Sequence, residues 1–84
     1  MSNIIKHPLS TEKSIRLMES ENKLIFVVDK KATKIQIKKE LEDLYNVKIK
    51  NVTTYITPRG VKRAFIKFAD ENPAIDLATK LGLM

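Results

Sequence analysis

The chain has 84 residues, with 16 Lys and Arg against 10 Asp and Glu and a net charge of +6 at pH 7. One domain of this size buries about two-thirds of its unfolded surface, which leaves little room for a deep substrate cavity. The absence of cysteine excludes disulfides and thiolate metal sites, and the positive charge favours a polyanionic partner. No apolar run approaches the ~20 residues of a membrane span, and the N-terminus lacks the apolar stretch of a signal peptide. We therefore expect a cytoplasmic protein without direct membrane insertion.

The N-terminal part of the chain predicts a short strand and a helix. Ile4 and Ile5 form the strand, which ends by Pro8. Ser10 is the expected N-cap of a helix over residues 11–19. The apolar face of this helix is predicted to carry Thr11, Ile15 and Met18.

A buried strand and a second helix are predicted next. Residues 24–28 are a continuous apolar run rich in β-branched side chains, typical of a central strand buried on both faces, so layers must cover both sides of the sheet. Thr33 and Gln36 have the spacing of a capping box for a helix that ends near Tyr45. Its apolar stripe is predicted to contain Ile37, Leu41, Leu44 and Tyr45, with Ile35 on the opposite side.

The C-terminal half predicts a hairpin and a last helix. Residues 47–57 form a strand whose apolar phase changes near Asn51, which indicates a bulge. A turn at residues 58–60 leads into a partner strand over 62–69. Asn72 and Pro73 are then predicted as the N-cap and first residue of a helix that carries Ile75, Leu77, Ala78 and Leu81 and stops at Gly82.

The element order is therefore (β)αβαββα in one domain covering residues 1–84. A strand, a helix and a following strand make a βαβ unit with a right-handed crossover, and a hairpin returns from it. This order predicts an α+β sandwich with helices on a mostly antiparallel sheet.

Residues for catalysis, cofactor binding or metal binding are missing. The single histidine, His7, precedes a proline and is better explained by a local hydrogen bond than by a ligand role. Two glycines cannot build a P-loop or a dinucleotide fingerprint. Ser10, Ser14 and Ser20 have no histidine partner at a plausible spacing. We expect no enzyme, no cofactor and no metal.

The basic segment, residues 30–39, concentrates positive charge at the start of the second helix. It contains no acid and five lysines, Lys30, Lys31, Lys34, Lys38 and Lys39. Acids are favoured at a helix N-terminus, so this arrangement opposes helix stability. The same arrangement favours phosphate, because free N–H groups, the dipole and the ammonium charges point the same way. A solvated surface with accidental asymmetry is the alternative.

A second basic cluster, residues 58–63, lies at the hairpin tip and the start of the partner strand and contains Arg59, Lys62 and Arg63. Thr53, Thr54, Tyr55 and Thr57 precede it on the other strand. Arginines beside hydroxyls and a ring are typical of an RNA-facing surface. An ordinary exposed hairpin with strand-favouring Thr and Tyr explains these residues equally well. Lys6 and Lys13 of the basic N-terminal stretch complete the predicted RNA-binding set.

Five segments in this order bear a family resemblance. They are HPLSTEKS at 7–14, NKLIFVV at 22–28, Ala32-Thr33-Lys34 with Ile37-Lys38, Val47-Lys48-Ile49 with Asn51-Val52-Thr53-Thr54, and KRAFIKF at 62–68. Over essentially its whole length the chain resembles the family of the universal large-ribosomal-subunit protein numbered twenty-three.

The resemblance implies an α/β/α layered fold around a four-stranded sheet. It also implies an rRNA-binding domain beside the exit of the nascent-peptide tunnel, neighbouring the subunit protein numbered twenty-nine. Family members there form a docking platform for the signal recognition particle, the translocon and nascent-chain factors. The family's RNA-contacting helix start and hairpin correspond to Thr33, Lys34, Lys38, Thr53, Thr54, Lys62 and Arg63. Glu12 corresponds to part of the factor-docking surface.

The hairpin departs from the bacterial members of that family, which carry a long basic extension into the tunnel. Here little more than Pro58-Arg59-Gly60 closes it, as in archaeal members, so a tunnel-probing role is not expected. Three alternatives remain. They are a free-standing RNA- or DNA-binding module, a small ferredoxin-like enzyme of the acylphosphatase type, for which the glycine-rich phosphate loop is missing, and a metabolite-binding regulator.

Overall fold

The computed structural model describes residues 4–82. These residues form β1 (Ile5–Pro8), α1 (Glu12–Glu21), β2 (Lys23–Val28), α2 (Lys34–Tyr45), β3 (Ile49–Ile56), β4 (Lys62–Phe68) and α3 (Ala74–Lys80). The strands pair in the order β1-β2-β4-β3, and every pairing is antiparallel. The predicted α+β class, four-stranded sheet and element order are confirmed. Because β4 lies between β2 and β3, the predicted βαβ unit is split by the returning hairpin strand.

One face of the sheet carries the hydrophobic core. Leu24 and Phe26 of β2 lie opposite Ile66 and Ala64 of β4, and side chains two residues apart on a strand share a face. All three helices contribute to the same buried cluster, through Met18, Ile37, Leu41, Ala74, Leu77 and Ala78. Burial of these apolar side chains is the main force that holds the helices on the sheet.

The opposite face of β2 is also buried, as its continuous apolar sequence predicts. Ile25 and Val27 point to this second face and are 3% and 9% exposed. Phe65, the cross-strand partner of Ile25, points the same way. The ammonium of Lys13 lies 5.7 Å from the centroid of the Phe65 ring, so the first turn of α1 reaches this face.

The N-cap of α1 differs from the prediction by one residue. Thr11, rather than Ser10, is the cap: its Oγ1 accepts a 3.2 Å hydrogen bond from the N–H of Ser14, and Ser14 Oγ accepts one of 2.8 Å from the N–H of Thr11. This reciprocal pair needs a polar side chain three residues after the cap. Ser14 satisfies that spacing for Thr11, whereas Lys13 would be the partner of Ser10. The helix consequently extends over Glu12–Glu21.

The capping box of α2 is confirmed. Thr33 Oγ1 accepts from the N–H of Gln36 at 3.2 Å, and Gln36 Oε1 accepts from the N–H of Thr33 at 3.0 Å. The predicted stripe is wrong at Leu44, which is 57% exposed. The residues that face the sheet are spaced four apart, at Ile37, Leu41 and Tyr45. Tyr45, and not Leu44, therefore points inward in the last turn. Ile35 is 80% exposed, as predicted.

The predicted bulge in β3 is present as a register shift between Ile49 and Asn51. The predicted cap of α3 is wrong, because the Oδ1 of Asn72 accepts instead from the N–H of Lys48 at 2.8 Å. Pro73 occupies the cap position without a side-chain hydrogen bond. Ile75 is exposed, and the helix ends before Gly82, which has a φ of +76° as predicted for a stop residue.

Candidate nucleic-acid interface

The two predicted basic clusters meet in space. The hairpin turn closes through a 2.8 Å hydrogen bond from the N–H of Gly60 to the carbonyl of Thr57, and Gly60 has a φ of +84°. A Cβ at Gly60 would lie 2.9 Å from the Nζ of Lys30, so the Lys30 side chain lies over the tip of the hairpin. Lys30 follows β2 in a turn fixed by Asp29, whose Oδ1 accepts from the N–H of Lys31 at 3.1 Å.

Lys62 joins the hairpin to the loop that leads into α2. Its ammonium donates to the carbonyl of Ala32 at 2.6 Å and to that of Lys30 at 3.4 Å. A charge-assisted bond of this length is stronger than a neutral one. Lys62, predicted as an RNA contact, thus positions the basic segment through two of its three donors, a role the sequence did not reveal.

A depression of about 400 Å³ lies where these elements meet. Its lining comprises Val27, Val28, Gly60 and Val61 with Lys6, Lys30, Lys31, Lys62 and Asp29. Four lysines thus face one carboxylate, and that carboxylate is engaged by the Lys31 backbone. The floor is apolar and the rim cationic, which is an arrangement suited to an anionic ligand.

The start of α2 extends this positive region. Lys34 and Lys38 are exposed and one helical turn apart, and the first turn of α2 contains no acid. Residues 4–82 contain three ion pairs, Arg16–Glu12, Lys23–Glu21 and Lys48–Glu71. None of them includes a lysine of the basic segment, so its charge is not neutralised within the described chain.

The hairpin residues divide between the two faces of the sheet. Tyr55 lies opposite Arg63 and Thr53 opposite Phe65, whereas Thr54 lies opposite the buried Ala64. Thr54 therefore points to the core side, and the prediction that it shares a surface with Thr53 and Tyr55 is wrong because neighbouring residues on a strand alternate. Arg59 is exposed at the hairpin tip.

Two further residues of the second face, which we call the outer face, were not predicted from the sequence. Phe65 and Lys67 alternate with the core residues Ala64 and Ile66, so the period-2 pattern could have assigned them to the same side as Arg63. The outer face of β2, β3 and β4 comprises Lys23, Ile25, Val27, Asn51, Thr53, Tyr55, Arg63, Phe65 and Lys67.

Glu12 lies apart from these cations on the first residue of α1. Its carboxylate pairs with Arg16 at 3.3 Å, with both side chains more than three-quarters exposed.

The Nδ1 of His7 lies 3.2 Å from the carbonyl of Pro8, the local contact that the sequence predicted. Within residues 4–82 no group of three His, Cys, Asp or Glu side chains could hold a metal ion. Over the same residues, no helix is both long enough and apolar enough to cross a membrane.

These features define the class of small, basic α+β proteins that present uncompensated lysines and arginines on their surface. Residues 3–75 match the family model described as Ribosomal protein L23. Over 81 residues the chain is 52% identical to the large ribosomal subunit protein uL23 of Pyrobaculum aerophilum, covering 96% of this chain and 100% of that protein. It is 46% identical over 81 residues to the uL23 of Methanococcus aeolicus, covering 96% and 94% of the two chains. The chain belongs to the ribosomal protein L23 family, as its sequence motifs indicated.

Proposed function

We propose that this chain is a structural component of the large ribosomal subunit and binds large-subunit rRNA beside the exit of the nascent-peptide tunnel. The observation that carries the proposal is the meeting of the basic segment with the hairpin tip, where Lys30 lies over Gly60. Its relatives at 46–52% identity are named as large ribosomal subunit proteins, which supports the assignment. The function is binding and assembly, without catalysis and without a cofactor.

The phosphate backbone of rRNA is the ligand that this cationic surface fits. Lys6, Lys30 and Lys31 surround the depression, and Lys34 and Lys38 continue from it along α2. Each neutralised phosphate releases a condensed counterion, which drives binding. Thr33 uses its side-chain oxygen as the helix cap and retains its O–H as a donor for RNA.

A second part of the proposal concerns protein partners. Glu12 contributes to a docking surface for the signal recognition particle, the translocon and nascent-chain factors. On the large subunit, this chain neighbours the subunit protein numbered twenty-nine. A carboxylate is a poor neighbour for phosphate because like charges repel. Glu12 is 86% exposed at its side chain and is therefore accessible to a protein partner. In this proposal the protein acts in the cytoplasm as part of the ribosome.

Co-sedimentation tests the proposal directly. Tagged protein expressed in cells should travel with the large subunit through a gradient at moderate salt and should crosslink to large-subunit rRNA. A protein that stays at the top of the gradient and binds many unrelated RNAs equally tightly would instead be a free-standing RNA-binding module.

A further inference from the structure

The outer face of the sheet differs in chemistry from the lysine-rimmed depression. The strand residues that point to it include the cations Lys23, Arg63 and Lys67 but no carboxylate, and of these three cations Lys23 forms an ion pair within residues 4–82, with Glu21. They also include two aromatic rings on neighbouring strands, Tyr55 and Phe65. Arg63 and Lys67 are therefore available to a polyanion, and the β3–β4 side of this face offers aromatic surface.

The two rings are held in a defined arrangement. Their centroids are 5.3 Å apart with an interplanar angle of 53°, a geometry in which aromatic pairs attract. The Nη1 of Arg63 donates to the hydroxyl of Tyr55 at 3.2 Å, so the Tyr55 ring is held by Arg63 as well as by Phe65. The ammonium of Lys13 lies over Phe65. Tyr55 nevertheless remains 38% exposed, so part of its ring is free to contact a ligand.

The Arg63 guanidinium is incompletely satisfied in the free protein. Its one hydrogen bond within residues 4–82 goes to Tyr55, and its Nε is buried without a partner. Its outer nitrogen atoms can still donate, and arginine presents donors in a fork that fits phosphate oxygens. A phosphate beside Tyr55 would therefore find a donor group already oriented by the ring.

We infer that the outer face binds an unpaired nucleotide, with its base stacked on Tyr55 and its phosphate beside Arg63. Exposed aromatic side chains on a sheet stack bases that are not enclosed in a duplex, and on this face Tyr55 is the exposed ring, because the β2 part of the face is buried. This inference rests on the proposed function and adds that the RNA partner must present an unstacked base here, whereas the depression around Lys30 needs only phosphates.

Tyrosine fluorescence of the full-length chain provides the test. The chain has two tyrosines and no tryptophan, so Tyr45→Phe leaves Tyr55 as the only tyrosine. Oligoadenylate should quench this emission, and the same strand hybridised to oligouridylate should not. The titration is performed at a salt concentration that screens the exposed lysines, so that stacking dominates the measured affinity.

Variants separate stacking from charge. The Tyr55 variants lack the reporting tyrosine, so their affinities are measured by filter binding of labelled oligoadenylate at the same salt concentration. Tyr55→Ala should weaken oligoadenylate binding by roughly 5- to 100-fold, and Tyr55→Phe, which keeps the ring, should retain most of the affinity. Ile75→Ala, which trims an exposed apolar side chain on α3, should have no effect and serves as the matched control. Circular dichroism and a melting curve establish that each variant is folded.

Three outcomes would overturn the inference. The first is equal oligoadenylate affinity of the parent and Tyr55→Ala, and the second is equal quenching by single strand and duplex. The third is a Tyr55→Ala protein that binds RNA normally but loses a protein partner, which would assign this face to a protein. Each leaves the proposed function intact if the parent still binds its rRNA fragment. Failure of the parent to bind any large-subunit rRNA would defeat the proposed function itself.

Discussion

The side-chain amide of Asn22 joins the end of α1 to the start of α3: its Oδ1 accepts a hydrogen bond of 2.6 Å from the N–H of Ala74. Its Nδ2 lies 3.2–3.3 Å from the carbonyl oxygens of Phe68, Ala69 and Asn72. Asn22 is also the C-cap residue of α1, with a φ of 56°. Because α3 has no side-chain cap of its own, the amide of this distant residue satisfies its first turn.

Replacing Asn22 by alanine should destabilise the protein by about 2–3 kcal/mol. The substitution leaves the Ala74 N–H without its side-chain acceptor and removes the Nδ2 donor shared by the carbonyls of Phe68, Ala69 and Asn72, of which Ala69 still accepts from the Asn72 N–H. It also places alanine in a left-handed conformation. For a domain of this length the melting temperature should fall by roughly 10 °C or more. Thermal unfolding followed by circular dichroism measures the change.

Asn46 provides the matched control for that substitution. It caps α2 with a φ of 53°, but no side-chain hydrogen bond of Asn46 is present within residues 4–82. Asn46→Ala should therefore show only the backbone strain, about 1 kcal/mol. Equal destabilisation by the two alanine variants would contradict the bridging role of the Asn22 amide.

Gly60→Ala should impair RNA binding more than it impairs stability. The new methyl group would lie 2.9 Å from the Lys30 Nζ and displace this flexible side chain from the hairpin tip. Gly82→Ala introduces similar backbone strain, but its Cβ would meet nothing within 4 Å. Both variants should lose about 1 kcal/mol of stability, and only Gly60→Ala should bind the rRNA fragment more weakly. Identical RNA affinities would show that the Lys30 position is irrelevant to binding.

The double variant Lys34→Glu, Lys38→Glu should weaken rRNA binding about tenfold or more while remaining folded. Both side chains are exposed, and the acid at position 34, in the first turn of α2, should improve the dipole interaction by about 0.3–1 kcal/mol. Filter binding and circular dichroism measure the two properties. A molten domain would mean that these side chains contribute to packing.

Lys48→Glu with Lys80→Glu makes the same change of net charge at another end of the molecule. Lys48 pairs with Glu71, and both lysines lie near acidic residues around the start of α3. This control should bind rRNA almost as well as the parent protein. A loss as large as that of the α2 variant would assign the effect to net charge rather than to the site.

The affinity for the rRNA fragment should fall steeply with salt. The cations around the depression and on α2 should give a slope of log affinity against log salt equivalent to roughly four or more phosphates. Lys30→Gln with Lys31→Gln should reduce the magnitude of that slope by about 1–2. Measurements at several salt concentrations test this, and a flat response would exclude a phosphate-dominated interface.

Glu12→Ala should leave rRNA binding and thermal stability nearly unchanged while weakening recruitment of at least one exit-site factor to assembled subunits. The exposed pair with Arg16 contributes less than about 0.5 kcal/mol. Glu19→Ala, on the same helix and exposed, is the charge-matched control. If the melting temperature alone changes, Glu12 serves only the first turn of its helix.

Several secondary-structure features of this protein can be predicted from short segments of its sequence. The capping box at Thr33, the continuous apolar run of β2 and the phase change near Asn51 each predicted a feature that the structure contains. These signals are local, because capping and strand alternation depend on residues only a few positions apart. The family motifs extended this prediction to the whole chain.

The tertiary structure alone decided which distant residues share a site. The position of Lys30 over Gly60, the bonds of Lys62 to the loop before α2 and the capping of α3 by Asn22 all join residues about 30–50 positions apart. No periodicity encodes such pairs, because they arise from strand order and helix packing. The sequence by itself determined the elements and the excess of positive charge. The tertiary structure determined that four of the lysines gather around one depression, and sheet pairing determined that Tyr55 and Phe65 form an aromatic surface on the opposite side from the core.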